Sequence, residues 1–281
     1  MPAPVRWTCP NCDLAVDTPF CAACGERPIP PRDLTFRGLA EKLFHAISNI
    51  DCKALRTFRR LINHPGDLTV AYLEGRRQPF VAPFQLFLIA NVLFFAVQWA
   101  TQAKVFSTPL VSHLNHQDWS EFAGPLVAHR LAEMGTTLER YAPAFDQAVV
   151  TNAKALVILM VLAFAVVLPL VFGGRRRPFM GHVVFALHLY AFLLLMFCLA
   201  MGVVAVHIAY GGAGLASEQL DHVLSAVQLV VCAIYIYLSI GVVYAATGVT
   251  RVLKTAILAV AVAALVLAYR FVLLPITLYT S

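Results

Sequence analysis

Five stretches of the chain, Val81 to Ala100, Ala155 to Phe172, Val183 to Ala209, Val223 to Ala246 and Ala256 to Leu274, contain none of its fifteen Asp and Glu residues. A hydrocarbon core of about 30 Å takes roughly 20 residues of helix to cross, and each stretch approaches or exceeds that length. With 60% hydrophobic and 13% charged residues over 281 positions, and a mean hydropathy of +0.75, the chain is too apolar for an ordinary soluble domain of its size. The stretches are continuous instead of alternating in period two, which excludes a β-barrel. The sequence therefore predicts an all-α membrane protein, a five-span transmembrane helical bundle.

Charge sets the expected orientation. Eleven Lys and Arg precede the first span, four lie in residues 101–154 beside five acids, three in 173–177, none in 210–222 and two in 246–254. That alternation follows the positive-inside rule and places the amino-terminal 80 residues in the cytoplasm. An odd number of spans then puts the carboxyl terminus outside. The first residues, "MPAPVRWTCPNC", have no apolar core or small-residue cleavage site, so a secretory signal peptide is not expected.

Residues 9–24, "CPNCDLAVDTPFCAAC", hold Cys9, Cys12, Cys21 and Cys24 as two CxxC knuckles eight residues apart. Each knuckle brings two thiolates to one ion, and two complete a tetrahedral site of the structural zinc kind. Residues 1–30 are thus expected to be a zinc ribbon, stabilised mainly by the metal because so short a segment buries little apolar surface. A redox CxxC or a pair of disulfides would use the same residues, but no βαβ pattern surrounds them and the cytoplasmic placement disfavours disulfides. No Lys or Arg stands between Cys9 and Cys24, so no nucleic-acid footprint is visible and a cytoplasmic protein partner fits better. Cys52, Cys198 and Cys232 read as packing residues.

Residues 31–80 form a second unit, a cytoplasmic amphipathic helix and a lead-in to the bundle. Leu34, Leu39, Leu43, Ile47 and Ile50, then Leu55, Phe58 and Ile62, recur at helical spacing, with Lys53, Arg56, Arg59 and Arg60 in the second half. The helix either lies in the headgroup plane against anionic lipid or docks on the bundle. His64-Pro65-Gly66 ends it, and Asp67 begins a short helix that stops at Gly75. Residues 81–281 are the transmembrane bundle, with an extracytoplasmic loop at 101–154. In that loop His113, His116 and Asp118 lie close in sequence, but no further ligand follows at helical spacing and a metal site is not expected there.

"GRRQPF" at Gly75 to Phe80 recurs as "GRRRPF" at Gly174 to Phe179, each before an outward-going span. Arg76, Arg77, Arg175, Arg176 and Arg177 are the expected contacts to lipid phosphate or another anion, with Pro suited to a first helical turn and Phe to the interface. Either duplicated hairpins or a shared topological signal accounts for the pair.

The stretch "RRLINHPGDLTVAYLEGRRQPFVAPFQLFLIAN" resembles a family of uncharacterised bacterial integral membrane proteins with an amino-terminal CxxC...CxxC zinc ribbon and a domain of unknown function. The resemblance rests on Cys9, Cys12, Cys21 and Cys24, on Pro65-Gly66, Tyr72, Gly75, Arg77, Pro83 and Phe84, and on "GHVVFALHLYAF" with His182, Phe185, His188 and Phe192. That family usually has an acidic residue where Gly181 stands and a lysine where Arg76 stands. It implies a location in the bacterial inner membrane, with no implied activity.

Among polar residues within the spans, Asn91, His182 and His188 stand out. His182 and His188 are six residues apart and project about 120° from one another on a helix, so they do not make a two-ligand face alone. His188 is either a satisfied interior histidine or part of a polar cavity with Asn91 or Gln98 and Gln228. Arg270 is the one strongly charged residue inside a span, close enough to the outer end to snorkel. No HExxH, GxSxG or Walker sequence occurs. The sequence favours a non-enzymatic scaffold or regulatory protein presenting a zinc ribbon and a basic surface to protein or anionic lipid. A small-molecule or lipid transporter or channel, and an enzyme acting on a lipid phosphate, are the alternatives.

Overall fold

A computed structural model describes residues 7–9, 12–23, 53–76, 79–101, 108–115, 117, 119–173, 178–212, 214 and 218–281. Cys24, Cys52, Arg77, His116, Asp118, Arg175, Arg176, Arg177 and the first half of the expected amphipathic helix lie outside these residues. The chain divides after Leu55 into two compact units. In the first, β1 (Trp7–Thr8) and β2 (Ala15–Val16) pair antiparallel, Trp7 opposite Val16 and Thr8 opposite Ala15.

The second unit is helical throughout. α1 covers residues 53–63 and α2 is Asp67–Leu73. α3 (Pro83–Thr101), α7 (Phe179–Ala209), α8 (Glu218–Tyr244) and α9 (Gly248–Thr280) are long and apolar enough to cross a membrane. α6 (Leu138–Phe172) adds a fifth span when its two segments, bent by 46°, are taken together. At the bend the Tyr269 hydroxyl of α9 donates to the Ala153 carbonyl at 2.7 Å. A carbonyl engaged from outside the helix loosens the i→i−4 ladder there, a recognised cause of kinks. The expectation of an all-α membrane bundle is met.

α3 packs on α7, α7 on α6, α6 on α9 and α9 on α8. The burial pattern follows from that order. On α3, Leu86, Phe87, Ala90, Phe94 and Gln98 recur every three or four residues and are buried against α7. α7 has neighbours on several sides, and from Gly181 to Leu194 all but Val183 are buried. A helix that is apolar all round needs such enclosure, whereas a one-sided stripe suffices at the edge of a bundle.

α2 is short, yet it touches both α7 and α8 and buries Leu68, Thr69 and Ala71. Gly66 makes that wedge possible. Its φ is +92°, and a Cβ there would lie 3.0 Å from the Ser239 carbonyl oxygen and 3.0 Å from Val242 Cβ, both on α8. The Pro65-Gly66 break therefore does more than end a helix: it brings backbone directly against a span. Arg60 clamps the turn by an ion pair to Asp67 at 2.6 Å, and the Val81 amide donates to the buried Thr57 hydroxyl at 3.0 Å, tying α1 to the start of α3.

At the opposite end of the bundle, α6 and α9 outrun the bilayer. Their 35 and 33 residues give rods of about 50 Å at about 1.5 Å per residue, against a core of about 30 Å. The excess carries α4 (Leu110–Asn115) and α5 (Ser120–Met134), joined to the long pair by a core of Leu110, Val127, Tyr141, Phe145, Leu274 and Leu278. Polar ties reinforce it: Asp146 accepts from the Leu110 amide at 2.9 Å, and Tyr141 donates to the Leu278 carbonyl at 3.1 Å. His113 is buried in this cap, its Nδ1 accepting from Trp119 Nε1 at 3.1 Å. Burial, and secondarily the Arg270 guanidinium of α9, lower its pKa from 6.5 to about 4.

Two predictions follow from this packing. Gly66→Ala meets both a strained φ and a blocked approach, and should cost about 1–3 kcal/mol. Gly75 has φ +85° with open space around it, so Gly75→Ala should lower the thermal midpoint in detergent by clearly less; equal shifts would show that the contact with α8 contributes nothing. For His113, the folded pKa lies below the unfolded one, so between pH 6.5 and about 4 the unfolded chain binds the additional proton and stability is lost as pH falls. The midpoint of the wild type should therefore drop more steeply over that window than that of His113→Gln.

Candidate functional sites

The cysteine cluster is built by two knuckles of the β1–β2 unit. The Cys9 amide donates to the Leu14 carbonyl and the Asp13 amide to the Cys9 carbonyl, each at 2.9 Å, with Asp13 in a left-handed conformation (φ 55°) that turns the chain back. This places the sulfurs of Cys9, Cys12 and Cys21 within 4.8 Å of one another, with 3.5 Å between Cys12 and Cys21. Sulfurs about 2.3 Å from a tetrahedral ion stand roughly 3.8 Å apart, and a disulfide would need about 2.05 Å, so the spacing suits a shared metal. Cys9 and Cys21 are buried beside Val16 and Trp7, which is the sheltered side of such a site; Cys12 is exposed. Three thiols from residues singled out in the sequence are thus brought together. The fourth expected ligand, Cys24, lies outside the described residues.

The second site is a cavity of about 330 Å³ lined by Arg56, Arg59, Arg60, Asn63, His64 and Phe80. The sequence positions 56, 59, 60 and 63 are i, i+3, i+4 and i+7, one stripe of a helix, so α1 turns all four toward the same space. Phe80, the last residue of the first "GRRQPF" copy, supplies an apolar wall. Arg60 is partly neutralised by Asp67, while Arg56 and Arg59 bring charge to the cavity without an ion pair among the described residues. A concave, cationic surface with one aromatic wall is suited to a phosphate or carboxylate attached to something apolar.

Of the paired arginines expected to contact an anion, Arg76 alone is among the described residues. Arg76 is exposed and pairs with Glu74 at 2.6 Å; it does not line the cavity. Its four companions are outside the described residues. The sequence shows Arg56, Arg59 and Arg60 as the basic part of an amphipathic helix; their i, i+3, i+4 spacing, extended to Asn63 at i+7, is the signal that places them on one stripe.

The intramembrane polar residues separate from one another. His182 meets the Tyr244 hydroxyl of α8 through Nδ1 at 2.8 Å. Tyr244 in turn stacks on Phe172 with centroids 4.0 Å apart, and the Lys254 ammonium lies 4.4 Å from the Phe172 ring centre. One cation and three rings thus connect α9, α6, α8 and α7 in a column, an arrangement favoured by the ring quadrupole. His188 is buried, and its Nδ1 meets the Thr69 hydroxyl of α2 at 2.9 Å. Asn91 is half-buried on α3. Neither His188 nor Asn91 lines the basic cavity or the larger cleft between α7, α8 and α9 that contains Gln228. Thr69 and Tyr244 carried no sequence signal, because each partner lies more than sixty residues from its histidine.

Residues 51–95, spanning α1, α2 and the first two thirds of α3, match a family described as "Protein of unknown function (DUF3667)". No curated protein and no solved structure matches. The matched segment contains every residue of the basic cavity and the Gly66 wedge.

If the three thiols share an ion, the full-length protein should carry one equivalent of metal by elemental analysis, and Cys9→Ser or Cys21→Ser should remove it while the helical content stays unchanged. Retention of a full equivalent by both variants would place the metal elsewhere.

Proposed function

We propose that this chain is a membrane-embedded scaffold or regulatory protein of the bacterial inner membrane, holding a structural zinc ribbon and a basic lipid-binding surface on the cytoplasmic side. The cavity lined by Arg56, Arg59, Arg60, Asn63, His64 and Phe80 is the observation that carries this reading. A basic stripe beside the start of the first span sits at headgroup level, where anionic lipid concentrates, and Phe80 lets a glycerol or acyl portion rest against the cavity wall. Occupation by lipid would fix α1 relative to the membrane.

Zinc is the favoured ion because the donor set is thiolate in knuckle spacing and the ribbon has almost no other core. With no position left open on the metal when a fourth cysteine joins, its contribution is to folding. Leu14 and Phe20 are about half exposed, an apolar surface on a unit otherwise too small to need it, which suits contact with a cytoplasmic protein. The positive-inside distribution of Lys and Arg supports an amino terminus in the cytoplasm and a carboxyl terminus outside.

The lipid component is tested on the purified full chain in mild detergent, titrated with phosphatidylglycerol and followed by native mass spectrometry. Each arginine near a headgroup contributes about 1 kcal/mol, so Arg56→Gln/Arg59→Gln should weaken binding roughly thirtyfold and reduce its salt dependence. Arg76→Gln, which disrupts only the exposed pair with Glu74, should change binding little. Undiminished binding by the double variant would remove the lipid role. The scaffold component is tested by pull-down from native membranes with the full chain and with a chain lacking residues 1–30; identical partners from both would exclude the ribbon as the presented surface.

A further inference from the structure

α7 and α8 meet through the stacked rings of His182 on Tyr244 and Phe192 on Tyr235, and from Leu193 onward a cleft of about 470 Å³ is lined by α7, α8 and α9. Its volume falls in the ordinary range for ligand sites of about 300–1,000 Å³. Each helix contributes one face at helical spacing: Asp221, Ser225, Gln228 and Cys232 from α8, and Ala259, Val262, Val266 and Arg270 from α9. α8 and α9 are antiparallel, so Asp221 and Arg270 both stand eleven residues, or about 16 Å, from the apolar floor at Cys232 and Ala259. Charge is confined to one end of the cleft. Below it the walls are apolar except for Ser225 and Gln228.

Arg270 is only partly satisfied. One terminal nitrogen donates to the Thr108 hydroxyl at 3.4 Å, a long bond, while Nε is buried with no hydrogen-bond partner. Asp221 is exposed and near enough for its charge to act on Arg270. Among the described residues no ion pair joins the two. A cation and an anion are thus held at the same depth with a gap between them, and a charged group facing the bilayer interior normally has a partner.

We propose that the cleft holds one phospholipid with a zwitterionic, primary-ammonium headgroup: its phosphate on Arg270, its ammonium on Asp221, and an acyl chain along the apolar trough toward Cys232 and Ala259. The order of charges selects the headgroup. A carboxylate at the rim accepts hydrogen bonds from a primary ammonium, gains less from a quaternary ammonium that has no N–H, and repels a headgroup that is anionic without a compensating cation. The lipid enters from the leaflet at the α4–α5 end, where its head and tail already have the required direction. This site is separate from the basic cavity of α1, which favours net negative charge.

Native mass spectrometry of the full chain in mild detergent, offered equal amounts of phosphatidylethanolamine, phosphatidylcholine and phosphatidylglycerol, reads the selection directly. The wild type should retain phosphatidylethanolamine about tenfold over phosphatidylcholine, the difference that hydrogen bonds to a charged group confer. Asp221→Asn should remove that preference and raise phosphatidylglycerol. Arg270→Gln should lose phospholipid from this site, and Ala263→Phe, which fills the α9 wall, should exclude phosphatidylethanolamine and phosphatidylcholine while leaving the phosphatidylglycerol of the basic cavity. Arg56→Gln/Arg59→Gln should leave phosphatidylethanolamine retention unchanged, which keeps this result independent of the proposed scaffold role. Because Asp221 is exposed, its variant folds whether or not Arg270→Gln does. Equal retention of phosphatidylethanolamine and phosphatidylcholine by the wild type, or an Asp221→Asn protein with the wild-type preference, overturns the proposal.

Discussion

The hydrogen bond between His188 and Thr69 joins the most enclosed helix of the bundle, α7, to the seven-residue α2. An imidazole surrounded by apolar side chains has no water to turn to, so it must find a partner within the protein. α2 supplies one by inserting a threonine, and that insertion is possible only because Gly66 lets the preceding turn lie against α8. With α2 in place, α7 is enclosed along its first half by α2, α3, α6 and α8. Past Phe192, which stacks on Tyr235 of α8, the cleft lined by α7, α8 and α9 begins at Leu193. The wedge thus lies at the closed half of α7.

A second consequence concerns the basic cavity. α1 is fixed to the bundle through Thr57 to Val81 and through Arg60 to Asp67, so its arginine stripe is presented on a rigid surface at the point where the chain approaches α3. Without those ties the same four residues would belong to a helix free to choose its face. Packing at the wedge and anion binding at the surface therefore share one short segment, and it is this segment that falls within the family match at residues 51–95.

Gly241 illustrates how a small residue in a span serves a polar one. A Cβ there would lie 2.4 Å from the Arg251 guanidinium carbon. In its absence Arg251 Nε reaches the Tyr237 carbonyl at 2.8 Å, and the guanidinium sits 3.9 Å from the Tyr237 ring centre. The charge near the start of α9 is thereby satisfied against its neighbour α8, and the α8–α9 hairpin gains a contact that neither hydropathy nor charge counting reveals.

Runs free of Asp and Glu marked the four helices long and apolar enough to cross a membrane, and the bent α6 that makes a fifth when its segments are taken together, since the cost of unpaired charge in hydrocarbon acts on each helix separately. Cysteine spacing brought Cys9, Cys12 and Cys21 together for a similar reason, because each CxxC turn is local. Which polar residues would meet was decided only by tertiary structure. His182 and His188 were legible as interior residues, but their partners Tyr244 and Thr69 come from distant segments, and Asn91 and Gln228, which hydropathy groups with them, lie apart. The arginine stripe of α1 was written in the sequence at helical spacing, yet it became a cavity only when Phe80 and the Thr57 tether closed one side. Arg270 and Asp221, 49 positions apart, share a depth because α8 and α9 run antiparallel with matched lengths, a relation of helix packing that no local pattern encodes.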